Sequence, residues 1–237
     1  MIKYGALIVL ALTAVAAVAA ARKAYVVSAF RRTLDGPAEA DGPAKAGPHV
    51  REVLYGANCA GCHGADGKGG AARGLADPVF LRIADAATVR RVTAAGVPGT
   101  AMPPFAKTAG GALTDEQIDA IVRGMRAGWA GAAVASDVNP PPYSTSTAGD
   151  PTRGGDAFAT FCSRCHGTDG RGGAGGSSIV DASYLSLVSD QSLRTTVIAG
   201  RPDLGAPDWR GNVPGRPMSS DEVSDVVAWL AARRSRD

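Results

Sequence analysis

Two short clusters carry the residue types that can hold a redox centre: Cys59-Ala60-Gly61-Cys62-His63 and Cys162-Ser163-Arg164-Cys165-His166. These four cysteines are all the chain has, so none remains for a structural disulfide or a lipid anchor. On a helical turn, positions i and i+3 share a face and i+4 lies over i. Two thiols so placed can form thioethers with one porphyrin, and the histidine that follows can put its imidazole on the iron. Cys-x-x-Cys-His is thus read as a c-type haem attachment site. Three other chemistries compete. A thioredoxin-like pair belongs to a βαβ pattern and needs no histidine. A zinc site built from four cysteines leaves both histidines unexplained. Two disulfides would suit an exported protein but not the repetition of His and Gly after each pair.

The clusters sit in longer repeats. A shift of 103 residues superposes 55–70 on 158–173 with eight of 16 positions identical: both cysteines, the histidine, and Gly64, Asp66, Gly67, Gly69 and Gly70 with their partners. Each repeat ends in an amphipathic helix opened by a Ser/Thr-x-x-Glu/Gln capping box. The first is Thr114 to Gln117, leading into Ile118, Ile121, Val122 and Met125; the second is Ser219 to Glu222, leading into Val223, Val226, Val227 and Leu230. The chain is a tandem duplication.

Each half resembles a class I cytochrome c domain, and the whole resembles a membrane-anchored di-haem cytochrome c. The resemblance covers about residues 49–130 and 153–235. It implies an all-α fold in which the first and last helices of each domain cross beside the haem: His49–Asn58 with Thr114–Ala127, and Gly155–Phe161 with Ser219–Arg233. The family's glycine at that crossing is matched by Gly155, whereas the first half has Glu52. The resemblance implies two covalent haems c, with His63 and His166 as axial ligands and a methionine as the second. Met102, in Gly99-Thr-Ala-Met102-Pro-Pro-Phe105, resembles the family's methionine loop. A thioether ligand favours the ferrous state. Met125 reads as core, and His49, beside Pro48, as solvent-exposed.

The duplication is imperfect at the second methionine. Aligning Gly96 with Gly200 sets Met102 opposite Ala206. Met102 is 39 residues after His63 and 12 before Thr114, while Ala206 is 40 after His166 and 13 before Ser219. Met218 is the methionine that remains. It aligns with Leu113, where an apolar side chain commonly staples onto the first helical turn. The irregular loop before it, with Gly211, Pro214, Gly215 and Pro217, would let it reach the iron instead. Met218 is the expected ligand, with a five-coordinate iron or another side chain as alternatives.

Composition frames these sites. With 237 residues, 45% apolar and 20% charged, the chain has the composition of one or two folded domains, not of a disordered or polytopic membrane protein. The net charge is +3, and removing Lys3, Arg22, Lys23, Arg31 and Arg32 leaves 20 basic against 22 acidic residues, which speaks against nucleic acid as a partner. From Tyr4 to Ala21 there are 18 uncharged residues, about 27 Å of helix, enough to approach the span of a bilayer. The expected organisation is a membrane anchor over 1–33, a tether over 34–48, domain 1 over 49–130, a linker over 131–152 and domain 2 over 153–237. A signal peptide cleaved near Ala19–Ala21 is the alternative to an anchor, and either would export the rest. The positive charges flank the exported side, against the positive-inside tendency, although long domains translocate largely regardless of charge.

The function expected is electron transfer, without a catalytic residue, at the outer face of a bacterial inner membrane. By resemblance the partner is a membrane complex (a bc-type quinol oxidoreductase, a haem–copper oxidase or a dehydrogenase) or another cytochrome. A di-haem peroxidase would need an open iron with acid–base groups nearby, and a gas sensor would need an output domain. A soluble exported carrier is the remaining alternative.

Overall fold

In a computed structural model, residues 52–129 and 139–234 are described in full, together with the backbone of 48–51. The expected anchor, most of the tether, the first part of the linker and the side chain of His49 lie outside them. Among the described residues no helix is long and apolar enough to cross a membrane.

Each half runs through the same series of helices. In the first these are α1 (Pro48–Asn58), α2 (Ala60–His63), α3 (Pro78–Ile83), α4 (Ala86–Ala95) and α5 (Asp115–Trp129). The second has α6 (Pro151–Phe161), α7 (Ser163–His166), α8 (Ala182–Leu187), α9 (Asp190–Ala199) and α10 (Ser220–Ala231). Among its described residues the second half also carries a two-residue antiparallel ladder, β1 (Gly172–Gly173) with β2 (Gly176–Ser177).

Side-chain caps set the starts of these helices by accepting from otherwise unpaired amides. Asp77 caps α3 and Asp85 caps α4, matched by Asp181 on α8 and Ser189 on α9. Both expected capping boxes form. Ser219 and Glu222 cap one another's amides, and Thr114 N–H donates to Gln117 Oε1 at 2.8 Å while Gln117 N–H donates to Thr114 Oγ1 at 3.3 Å. Asp150 caps α6, so that helix opens at Pro151, four residues before the expected Gly155.

First and last helices cross in both halves, α1 on α5 and α6 on α10, and the second crossing is the closer. The glycine that permits it is Gly154, one residue before the position expected. A Cβ on Gly154 would lie 2.0 Å from the carbonyl oxygen of Asp225 and 2.7 Å from Trp229 Cβ, whereas one on Gly155 would reach Trp229 Nε1 at 3.3 Å. Glu52, the expected obstacle in the first half, is exposed. Aromatic pairs complete each crossing: Tyr55 meets Trp129 edge-on with centroids 5.1 Å apart, and Phe158 stacks on Trp229 at 4.2 Å.

The described end of the linker is fastened to the second half. Buried Arg194 donates from Nε to the Pro142 carbonyl at 3.0 Å, from one terminal nitrogen to Ser224 Oγ at 2.9 Å and from the other to Ser220 Oγ at 3.0 Å. Gln191 Nε2 donates to the Tyr143 carbonyl. Beside them Asp225, almost fully buried, accepts from Arg153 Nε at 2.8 Å and from the Asp150 amide at 2.6 Å. Its hydrogen bond to Arg153 holds its pKa below the ordinary carboxylate value.

Candidate haem-binding sites

The cysteine and histidine amides make the same backbone bonds in both Cys-x-x-Cys-His turns. The Cys59 amide donates to the Tyr55 carbonyl at 2.8 Å, and the Cys162 amide to that of Phe158 at 2.8 Å. Within each turn the second cysteine's amide donates to the first cysteine's carbonyl at 3.2 Å, and the histidine's at 3.0 Å. Each motif therefore continues the first helix of its half as a short turn, α2 or α7, that carries both thiols and the imidazole. Burial pushes the Cys59 thiol up to about 11 and the Cys162 thiol up to about 12. A nucleophilic redox thiolate is favoured by the opposite shift. Among the described residues no group of three or more His, Cys, Asp or Glu side chains converges as a metal site.

Each imidazole is oriented by a backbone carbonyl. His63 Nδ1–H donates to the Arg73 carbonyl at 2.7 Å, and His166 Nδ1–H donates to the Ser177 carbonyl at 2.8 Å. A carbonyl can only accept, so Nδ1 carries the proton and the Nε2 lone pair is left for a metal. Glycine-rich loops bring the carbonyls round, and their closing bonds also correspond: Ala76 N–H to Gly67 O at 3.1 Å, and Ile179 N–H to Gly170 O at 2.9 Å. Two thiols, an oriented imidazole and a loop folded back beside them fit a covalently held haem in both halves.

Further along, the loops that bear the expected second ligands share a backbone conformation. Gly96 and Gly200 end α4 and α9 at φ +66° and +67°. The next amide turns back onto the loop: Val97 N–H donates to Met102 O at 3.0 Å, and Arg201 N–H to Ala206 O at 3.0 Å. Met102 is half-buried there, between Gly99 and Pro103. Met218 is buried at 2% exposure in the core that includes Trp209 and Val223, while Met125 is core on α5, as expected.

Sequence reading passed over the contact between the halves. The loop that orients His63 abuts the end of α9. An Arg73 terminal nitrogen donates to Thr196 Oγ1 at 2.5 Å and lies 3.4 Å from the Ser192 carbonyl. Arg201 donates to Gly70 O at 2.8 Å, and the Gly69 amide donates to Asp203 Oδ2 at 3.0 Å. Arg201 also grips Asp203 through both carboxylate oxygens, and this pair holds the Asp203 carboxyl down at about 2. Burial lowers Arg73 to about 10, which still leaves it charged at neutral pH. Isolated arginines and aspartates in loops have no periodicity or spacing that would have marked them.

Comparison with known proteins agrees with this geometry. The profile of the family "Cytochrome C oxidase, cbb3-type, subunit III" matches residues 48–123 and again 149–230, more than half the chain. The chain belongs to this cytochrome c family. Its two matches fall on the two structural repeats. The family member is also 27% identical over 178 residues to the cytochrome bc1 complex cytochrome c subunits of Mycobacterium bovis and Mycobacterium tuberculosis, which covers 75% of this chain and 60% of theirs. The corresponding subunit of Mycobacterium leprae is 26% identical over 178 residues. The chain thus spans about three-fifths of the length of these relatives. A chain of the Kuenenia stuttgartiensis reducing HAO-like protein complex aligns with 78% of it at 17% identity and a TM-score of 0.44.

Proposed function

We propose that the protein is a di-haem electron carrier of a membrane electron-transfer complex. One haem is attached through Cys59 and Cys62 with His63 on the iron, and the other through Cys162 and Cys165 with His166. Met102 supplies the sixth ligand in the first half. The observation that carries this reading is the duplicated proximal arrangement, in which each imidazole is held through Nδ1 by a backbone carbonyl. Bound haem supplies one-electron exchange between ferric and ferrous iron. The chain supplies the orientation of both imidazoles and, through Arg73, Arg201 and Asp203, a fixed contact between the halves.

The relatives' name favours a bc-type quinol oxidoreductase as the complex, with a haem–copper oxidase or a dehydrogenase as other partners of the same kind. The uncharged run Tyr4–Ala21 supports a single-pass anchor in a bacterial inner membrane, with the haem domains on the periplasmic side.

Acid–acetone extraction should leave the pigment on the protein, and a pyridine haemochrome assay should give two haems per chain. Pigment released into the solvent would overturn the attachment. High-salt washing should leave the protein in the membrane, since apolar insertion is insensitive to screening. A mature N-terminus near Ala20 or Arg22 would show a cleaved, soluble carrier instead. Solubilised native membranes should yield it together with quinol oxidoreductase subunits.

A further inference from the structure

The two ligand loops allow a residue-by-residue correspondence that alignment alone left open. Gly96 and Gly200 share a positive φ with an extended ψ and press against corresponding atoms. A Cβ on Gly96 would lie 2.8 Å from Met102 O, and one on Gly200 would lie 2.8 Å from Ala206 O. With the matching 3.0 Å bonds from Val97 and Arg201, this makes Ala206 the counterpart of Met102, and Pro207 that of Pro103. Farther on, the Leu113 amide donates to Phe105 O at 2.8 Å and the Met218 amide donates to Trp209 O at 2.9 Å. Each residue directly precedes its capping box, and they are 4% and 2% exposed. Met218 is therefore the counterpart of Leu113, an apolar staple under the last helix.

This removes the expected ligand from the second half. Residues 139–237 contain one methionine, Met218, one histidine, His166, and no lysine, and both cysteines belong to the attachment motif. Ala206 ends in a methyl group where Met102 carries a thioether.

We propose that the second half leaves the sixth position of its haem without a protein thioether, and that this position is a binding site for small neutral diatomic ligands of ferrous iron. Met102 closes the equivalent position in the first half. The inference rests on the di-haem reading above. It also orders the two potentials, because a thioether favours ferrous iron and only the first site has one.

The test uses the full-length, haem-loaded protein in detergent, with carbon monoxide as the probe. Two haems by pyridine haemochrome is the precondition, and a lower count sinks the di-haem reading itself. With two haems present, the reduced protein should take up one carbon monoxide per chain. The oxidised spectrum should show the thioether-to-iron charge-transfer band of a single methionine. Met102→Ala should double the uptake and abolish the band. Ala206→Met should abolish uptake, double the band and raise the lower of the two potentials. Met218→Leu, which keeps an apolar staple, should leave uptake and band unchanged. A two-haem wild type that takes up no carbon monoxide would overturn the proposal, as would a Met218→Leu variant that gains a second equivalent or loses a band. The first result would leave both irons closed by side chains and the second would put Met218 on an iron, with the relay standing in either case.

Discussion

The two halves agree most where the histidines are held and differ most where the second ligands are expected. On the histidine side, the bonds of the cysteine and histidine amides repeat to within 0.1 Å, and both imidazoles end on carbonyls. On the other side, the loops repeat their backbone while Ala206 stands for Met102 and Met218 for Leu113. The two loops thus share a backbone conformation while one presents a thioether and the other a methyl group. The helix crossings differ as well, the second being the closer of the two.

The largest expected effect tests the agreement. Cys59→Ser with Cys62→Ser, or Cys162→Ser with Cys165→Ser, should each lower the haem count from two to one by haemochrome and by intact mass. Unequal losses would show that the attachment turns are not equivalent despite their matching bonds.

Next in size is the crossing. Gly154→Ala puts a Cβ against the backbone of Asp225, and overpacking of this kind costs about 1–3 kcal/mol, visible as a drop of several degrees in thermal unfolding. Gly155→Ala, which meets only the edge of Trp229, should stay within about 1 kcal/mol of the parent protein and gains helix propensity. Equal losses at both positions would put the close approach in the wrong place.

The contact between the halves carries a pH signature. The Asp203 carboxyl is held at about 2 in the folded protein, against an ordinary value of about 3.9. Its contribution is fully present above pH 4 and is lost as the pH falls towards 2. Asp203→Asn should therefore be less stable than the parent at neutral pH, and the two stability curves should converge between pH 4 and 2. Curves that stay parallel through that window would show that Arg201 does not hold the Asp203 carboxylate.

A smaller effect is expected at Tyr55, whose hydroxyl donates to Gly64 O at 2.9 Å, a bond its counterpart Phe158 lacks. Tyr55→Phe should cost about 1 kcal/mol in chemical denaturation, and the haem count should stay the same.

Much of this was legible in the chain because it is local. Cys-x-x-Cys-His needs one helical turn, a capping box needs four consecutive residues, and an amphipathic face needs only its period, so each survives as spacing. The crossing glycine was missed by one position, because two adjacent glycines read alike until the opposing carbonyl of Asp225 is in place. Arg73, Arg201 and Asp203 were missed altogether, since their partners lie more than a hundred residues away and no motif links them.

By itself, then, the sequence determined the duplication, the thiol pairs with their histidines, the capped helices and the Met102 loop, all of which depend on residues within a few turns of one another. Tertiary structure decided which nitrogen of each imidazole is left for iron, because the carbonyl that takes the Nδ1 proton comes from a separate loop. It also assigned Met218 to the core beneath α10. A buried methionine and a methionine ligand have the same side chain, and only the packing around it and the pairing of its backbone distinguish them.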